Sequence, residues 1–235
     1  MVLLTPFNNS LDLFYSPKYP NIEIVVSHYK EDINWLTQEP FNQFKQTIYN
    51  KGPVIIENSI LLPNVGREGH TYLHHIIQNY DNLAEITIFL PGSCQDNPPH
   101  VNKKEKTNEL VELVLKTNNT VLLGPTMGQP IRDAFYDFEL DEWEGTNIDN
   151  SKHVPAHDLK PCPERPFGRW YDANFKGIDD VYVVCFAGIF AVSRKDIRRH
   201  PRSKYEKLIK YVDDHPNPEA GHFLERAWGA VFSPT

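Results

Sequence analysis

Residues 51–93 read KGPVIIENSILLPNVGREGHTYLHHIIQNYDNLAEITIFLPGS, and their order decides the fold. The apolar, β-branched VII after the Gly52-Pro53 turn predicts a strand over residues 51–59. After Gly66, Tyr72, Leu73, Ile76, Ile77 and Tyr80 recur at three and four residues, the spacing of an amphipathic helix. Residues 85–93, EITIFLPGS, predict a second strand, halted by Pro91-Gly92. Strand, helix, strand at this spacing is the unit that joins parallel strands by a crossover.

Working outward, NIEIVVS (residues 21–27) predicts a buried strand upstream. Between it and residue 51, Ile33, Leu36 and Phe41 have roughly helical spacing that Pro40 interrupts. Downstream, residues 104–117 predict a helix with Leu110, Val111 and Leu115 inward. Residues 121–178 carry many prolines and little periodicity, and such long ordered loops tend to be functional. The apolar run 181–193 is divided by Gly188, the basic segment after it breaks at Pro201, and a final helix is expected over 219–232. The expectation is one α/β domain over residues 1–235, a mostly parallel central sheet flanked by helices. Its ligand crevice would lie at the carboxyl ends of the strands, at Ser27-His28-Tyr29, Glu57-Asn58-Ser59 and Pro91-Gly92-Ser93.

The formal charge of −7 over 235 residues argues against a general nucleic-acid binder, which is usually basic. Three widely spaced cysteines, Cys94, Cys162 and Cys185, form neither a disulfide framework nor a CxxC pattern, so a reducing compartment is expected. The opening MVLLTPFNNSLDLFYSP lacks a basic n-region and a long apolar run. We therefore expect no signal peptide, no membrane span and a cytoplasmic protein. Sequons at Asn8 and Asn118 carry no weight without secretion.

The segment 62–76, LPNVGREGHTYLHHI, admits three readings. His70 and His74 are four apart and could face one zinc ion, but the HExxH glutamate is missing. Gly66 and Gly69 bracket a helix start, where free N–H groups attract phosphate and Arg67 could add a forked donor. The third reading is a glycine turn, with the histidines packing and Arg67 and Glu68 solvated or paired.

The segments IVVSHYKED, VIIENS, NVGREGHTYLHHI and ITIFLPGSCQD, in that order, resemble the nucleotide-binding half of the GT-A glycosyltransferases. Over nearly the whole chain, VVSHYKEDINWL, NVGREGHTYLHHIIQNYDNL, AGIFAVSRKDI and LERAWGAVF resemble an uncharacterised glycosyltransferase-like family of fungi, algae and large DNA viruses, catalogued as a domain of unknown function. The resemblance implies a GT-A-like, Rossmann-like domain with a nucleotide-binding half (residues 1–100) and an acceptor-side half (101–235). It implies transfer of a sugar from a nucleotide-diphosphate sugar to a hydroxyl of a glycan or glycoprotein, with inversion. On this reading Ser27, His28 and Tyr29 line the base pocket and Asp32 reaches the base or ribose. Glu57 and Asn58 contact base and ribose, and Gly66, Arg67 and Gly69 lie near the diphosphate. Where GT-A enzymes carry Asp-x-Asp, this chain has Pro91-Gly92-Ser93, and the nearest acid is Asp96. Mn²⁺ or Mg²⁺ is thus held weakly through Asp96, or is replaced by Arg67 or another cation. The catalytic base is Glu225, with Glu219 second. Phe167, Arg169, Trp170 and Tyr171 offer acceptor contacts, and Gly188 allows close backbone approach.

Plainer alternatives stand beside these. Tyr29 and Asp32 also suit a packing ring and a helix cap, Glu225 a pair with Arg226, and the aromatic segment 167–175 a packed loop. Two rival functions are a degenerate module that binds nucleotide or carbohydrate, and a metal-dependent hydrolase or nuclease using the histidines and the acids of residues 133–141.

Overall fold

Ile22, Ile24 and Val26 of the first strand join one apolar cluster, and Val25 between them joins another. Both faces are therefore covered, the condition in which parallel strands are found. The computed structural model describes residues 18–96, 102–142, 158–178 and 180–232. The N-terminal reading and the sequon at Asn8 lie outside the described residues.

The strands are β1 (Tyr19–His28), β2 (Phe44–Asn50), β3 (Ile60–Leu61), β4 (Ile86–Pro91), β5 (Val121–Leu122) and β6 (Phe190–Ser193). They form a six-stranded sheet in the order β3-β2-β1-β4-β6-β5. The pairs β1–β2, β1–β4 and β2–β3 are parallel, and β6 runs antiparallel to β4 and β5. The chain thus adopts the expected α/β fold, a mostly parallel sheet with helices on both faces.

The helices are α1 (Arg67–Gln78), α2 (Lys103–Thr117), α3 (Ile131–Ala134), α4 (Phe167–Asn174), α5 (Arg194–Ile197), α6 (Arg202–Ile209) and α7 (Glu219–Phe232). Leu110, Val111 and Val114 of α2 cover one face of the sheet, together with Trp35, Leu36 and Phe41 from two 3₁₀ turns. Tyr72, Leu73 and Ile76 of α1, with apolar residues of α4, α6 and α7, cover the other. Capping is local: Asn102 accepts the Glu105 N–H at 3.0 Å, and Ser193 Oγ accepts the Asp196 N–H at 3.1 Å. Pro201 separates α5 from α6, as expected from its missing N–H. The three cysteines are free and buried. Among the described residues no helix is long and apolar enough to cross a membrane.

Three expectations are corrected. Residues 51–59 are not a strand; that place in the sheet belongs to β2, seven residues earlier in the chain. Val54 and Ile55 are 57% and 87% exposed, in the connection to β3. The interrupted helix before residue 44 is a pair of 3₁₀ turns. The aromatic segment 167–175 is largely a helix, not a loop. At the outer end of the sheet, both residues of β3 are exposed, Ile60 at 48% and Leu61 at 70%.

Candidate functional site

Strands β1, β2 and β3 succeed one another toward one edge of the sheet, whereas β4 is added on the opposite side of β1. The carboxyl ends of β1 and β4 therefore flank a topological switch point, where ligands of open α/β sheets bind. The strand tips there are tied to one another. Ser27 Oγ lies 2.9 Å from Thr71 Oγ1 of α1. The buried His28 ring sits between Asn50 Oδ1 (3.0 Å) and the Glu31 carbonyl (3.1 Å). Glu31 Oε2 accepts the Tyr29 and Lys30 N–H groups at 2.7 and 3.1 Å. A side chain at Gly92 would put its Cβ 2.8 Å from that oxygen, so the glycine admits the loop after β1. Lys103 Nζ donates to Ser93 Oγ at 3.0 Å, which brings an ammonium to the end of β4.

Beside these tips lies a cluster of charge. Arg67 and Glu68 open α1, 3.8 Å apart. Every residue of α7 is buried except Glu225 and Arg226, and these two face the same place. Glu225 Oε2 stands 3.7 Å from His222 Nδ1, and its Oε1 accepts the Ala187 N–H at 3.1 Å. Burial works to raise the Glu225 pKa, but His222, Arg67 and Arg226 outweigh it and hold the carboxyl at about 2. Burial lowers the pKa of His222, so its ring is neutral near pH 7. The Arg226 guanidinium lies 3.6 Å from the centroid of the Phe138 ring, with Phe135 at 5.2 Å and Phe186 at 5.4 Å. Lys51, at the end of β2, donates to the carbonyls of Val65 and Arg67. Burial pulls its pKa down to about 7, against the pull of Glu68.

The structure brings together Arg67, Glu225 and Gly188 from the sequence reading and sets Ser27 and His28 at the neighbouring tip. It separates or occupies the others. The Gly66 N–H donates to the His215 carbonyl at 2.8 Å, and Gly66 is buried, so that amide is not offered to an anion. A Cβ on Gly69 would lie 3.2 Å from Leu224 Cδ1, which makes this glycine a contact between α1 and α7. Glu57 and Asn58 are exposed in the loop before β3, with Asn58 at φ 58°, and not at the carboxyl end of a strand. Asp32 accepts the Asn34 N–H at 2.9 Å, two residues ahead of the first 3₁₀ turn. Tyr29 is half-buried beside Lys30, whose Nζ is 5.5 Å from its ring. Asp96 ends the turn after β4, its N–H bonded to the Ser93 carbonyl. Glu219 is fully buried, accepts the Leu140 and Cys162 N–H groups at 2.8 Å each, and faces Arg165 Nε at 3.3 Å. It is a clamp on two loops rather than a proton acceptor. Phe167, Trp170 and Tyr171 are core residues with at most 1% exposure, while Arg169 is exposed on the far side of the same helix.

The histidines of the 62–76 segment pack. His75 Nδ1 lies 3.1 Å from Tyr49 Oη, and His70 stacks on His74 at 5.9 Å. Burial lowers the pKa of His70 to about 3 and of His75 to about 4. Of the acids in residues 133–141, Asp133 pairs with Arg132, and Glu139 and Asp141 pair with Arg165. The sequence reading missed His222, Lys103 and Lys51, and named Glu68 and Arg226 only as ion-pair partners of Arg67 and Glu225. Glu225-Arg226 interrupting an otherwise apolar helix was the one available signal.

A family profile described as "Protein of unknown function (DUF3431)" matches residues 24–235, from within β1 to the end of the chain. The chain belongs to the DUF3431 family. No curated protein and no solved structure matches it.

In this DUF3431 protein Asp96 is the carboxylate nearest in sequence to the end of β4. Among the described residues no three His, Cys, Asp or Glu side chains stand together as ligands, and the Lys103 ammonium already reaches Ser93. The charged cluster can do two things. Arg67 and the nearby lysines can offset the charge of an anionic group. Glu225, ionised and partly exposed at 16%, can accept a hydrogen bond from a ligand hydroxyl.

Proposed function

We propose that this protein transfers a sugar from a nucleotide-diphosphate sugar to a hydroxyl acceptor. The observation that carries the reading is Glu225: an ionised carboxylate on an otherwise buried helix, fixed by the Ala187 N–H and set among Arg67, His222 and Arg226 beside the switch point. The resemblance to GT-A glycosyltransferases and the strand order support it. In the reaction Glu225 takes the acceptor's hydroxyl proton, and the acceptor oxygen bonds to the anomeric carbon. The bond from that carbon to the diphosphate breaks, and its electron pair leaves on the phosphate oxygen. Arg67, helped by Lys103 from the β4 side, offsets the charge that develops there. A carboxyl with a pKa of about 2 is a weak base in the free protein. Drawing Arg67 onto the donor's phosphates removes part of what depresses that pKa, so the base strengthens when donor is bound. Inversion follows from a positioned base with no nucleophile assigned.

Melting the purified protein with UDP, GDP and their sugar conjugates, with and without Mn²⁺, tests the reading. A bound nucleotide raises the melting temperature by mass action. Glu225→Gln should keep that rise and lose sugar transfer by about a hundredfold or more. No rise with any nucleotide overturns the proposal.

A second reading, a module that binds without turnover, is favoured by the low basicity of Glu225 and by the occupied Gly66 amide. A nucleotide-induced rise with no transfer or donor hydrolysis by the native protein would select it.

A further inference from the structure

Three consecutive residues just before β6 are bolted to three different helices. Lys106 of α2 donates to the Phe186 carbonyl at 2.7 Å. The Ala187 N–H donates to Glu225 of α7 at 3.1 Å. Tyr72 of α1 donates its hydroxyl to the Gly188 carbonyl at 2.9 Å. The backbone they hold is left-handed at two successive positions, Ala187 at φ 66° and Gly188 at φ 62°. Alanine does not adopt that conformation unaided, and such backbone persists only where its surroundings over-determine it, a condition met most often at ligand sites.

What this turn displays is the Phe186 ring. The residue as a whole remains 36% exposed, although Phe135 and Phe138, which meet the same Arg226 guanidinium, are half-buried. The residue after it hydrogen-bonds Glu225, so an apolar ring face and a hydrogen-bond-accepting carboxylate border one small area. The Arg226 guanidinium adds a cation at its rim. An apolar face bordered by an ionised acceptor and a cation matches a pyranose ring, which has C–H groups on its faces and hydroxyls around its edge.

We propose that Phe186 is the stacking platform for a saccharide ring, with Glu225 accepting one of its hydroxyls. The inference deepens the transferase reading, on which the word acceptor rests. The contact itself is measured without nucleotide. It also assigns acceptor recognition to the turn 186–188, since the aromatic residues of α4 are buried in the core.

Saturation-transfer NMR with methyl glycosides of glucose, galactose, mannose, N-acetylglucosamine and xylose provides the test. At least one should receive saturation from the native protein, strongest on its ring C–H protons. Phe186→Ala should weaken binding of that glycoside about tenfold, the worth of one aromatic face, and Phe186→Trp should retain it. Because Phe186 is exposed, both variants should melt within a few degrees of the native protein. The proposal is overturned if no glycoside binds, or if Phe186→Ala binds as well as the native chain. Nucleotide-induced stabilisation without glycoside binding leaves the transferase reading standing and removes this one. Glycoside binding lost in Phe186→Ala, without any nucleotide effect, does the reverse.

Discussion

Two left-handed turns of the chain make an instructive pair. Gly66-Arg67 has φ values of 61° and 51°, and Ala187-Gly188 has 66° and 62°. They meet at one point, since a Cβ on Gly188 would lie 2.8 Å from Glu68 Cγ. The first turn is closed: its amide is spent on His215 and its glycine is wedged against Val212. The second is open: its backbone is held by other elements so that a side chain faces solvent. A glycine in an unusual conformation therefore marks a site only when the surrounding bonds leave something displayed.

The largest expected effect separates the two glycines. A Cβ on Gly66 would stand 2.0 Å from the Val212 carbonyl oxygen, with the backbone at φ 61°. Gly66→Ala should thus cost about 3–5 kcal/mol in urea unfolding, or prevent folding. A Cβ on Gly188 would meet side chains instead of backbone, Glu68 Cγ at 2.8 Å and the buried Tyr72 ring at 3.2 Å, so Gly188→Ala should cost less, about 1–2 kcal/mol. Equal losses would erase the distinction between a closed and an open turn.

Next in size is the anchor of the second turn. The Glu225 pKa lies at about 2 in the folded chain, below its ordinary 4.5. A depressed carboxyl stabilises the fold fully above pH 4.5, and the stabilisation is lost as pH falls toward 2. Glu225→Gln should remove up to about 3 kcal/mol at pH 7 and flatten the stability profile between pH 5 and pH 2. An unchanged acid limb would show that the cluster does not hold Glu225 ionised.

Lys51 braces the first turn and carries the opposite signature. Its folded pKa of about 7 lies below the ordinary 10.5, so the unfolded chain binds more protons between those values. Stability should rise with pH from about 7 to about 10. Lys51→Met should abolish that rise and cost about 1–2 kcal/mol at pH 9, through two carbonyls left unpaired. The smallest effect is a gain. Ala187→Gly relieves a left-handed alanine and should add about 0.5 kcal/mol, while the freer turn weakens glycoside binding.

Hydrophobic pattern made β1, β4, α2 and α7 legible, although in α2 Val114 is buried and Leu115, expected inward, is 38% exposed. It misplaced β2 for a physical reason. Residues 44–50, FKQTIYN, look too polar for an interior strand, but their polar groups have partners distant in sequence. Lys45 and Thr47 both bind Glu23, at 3.1 and 2.6 Å, and Gln46 donates to the Leu36 and Phe41 carbonyls. The VII of residues 54–56 looked like a strand and forms no part of the sheet. At the site, Arg67 was legible as a charge at a helix start and Glu225 as a charge within a largely apolar helix. Of the turn 186–188 only Gly188 was legible, as a point of close backbone approach; Phe186 was not, since three bolts from three helices leave no trace in local sequence. The reading of α4 failed because aromatic residues signal contact area without saying whether the contact is with sugar or with core.

Among the described residues, the two exposed residues of β3 form the outer rim of the sheet. An exposed apolar edge is a template for another extended segment, so self-association through this rim is expected to set in as concentration rises. Replacing Leu61 with lysine would cost the fold little and raise the concentration at which light scattering first climbs. That variant is the natural starting material for crystals and for NMR.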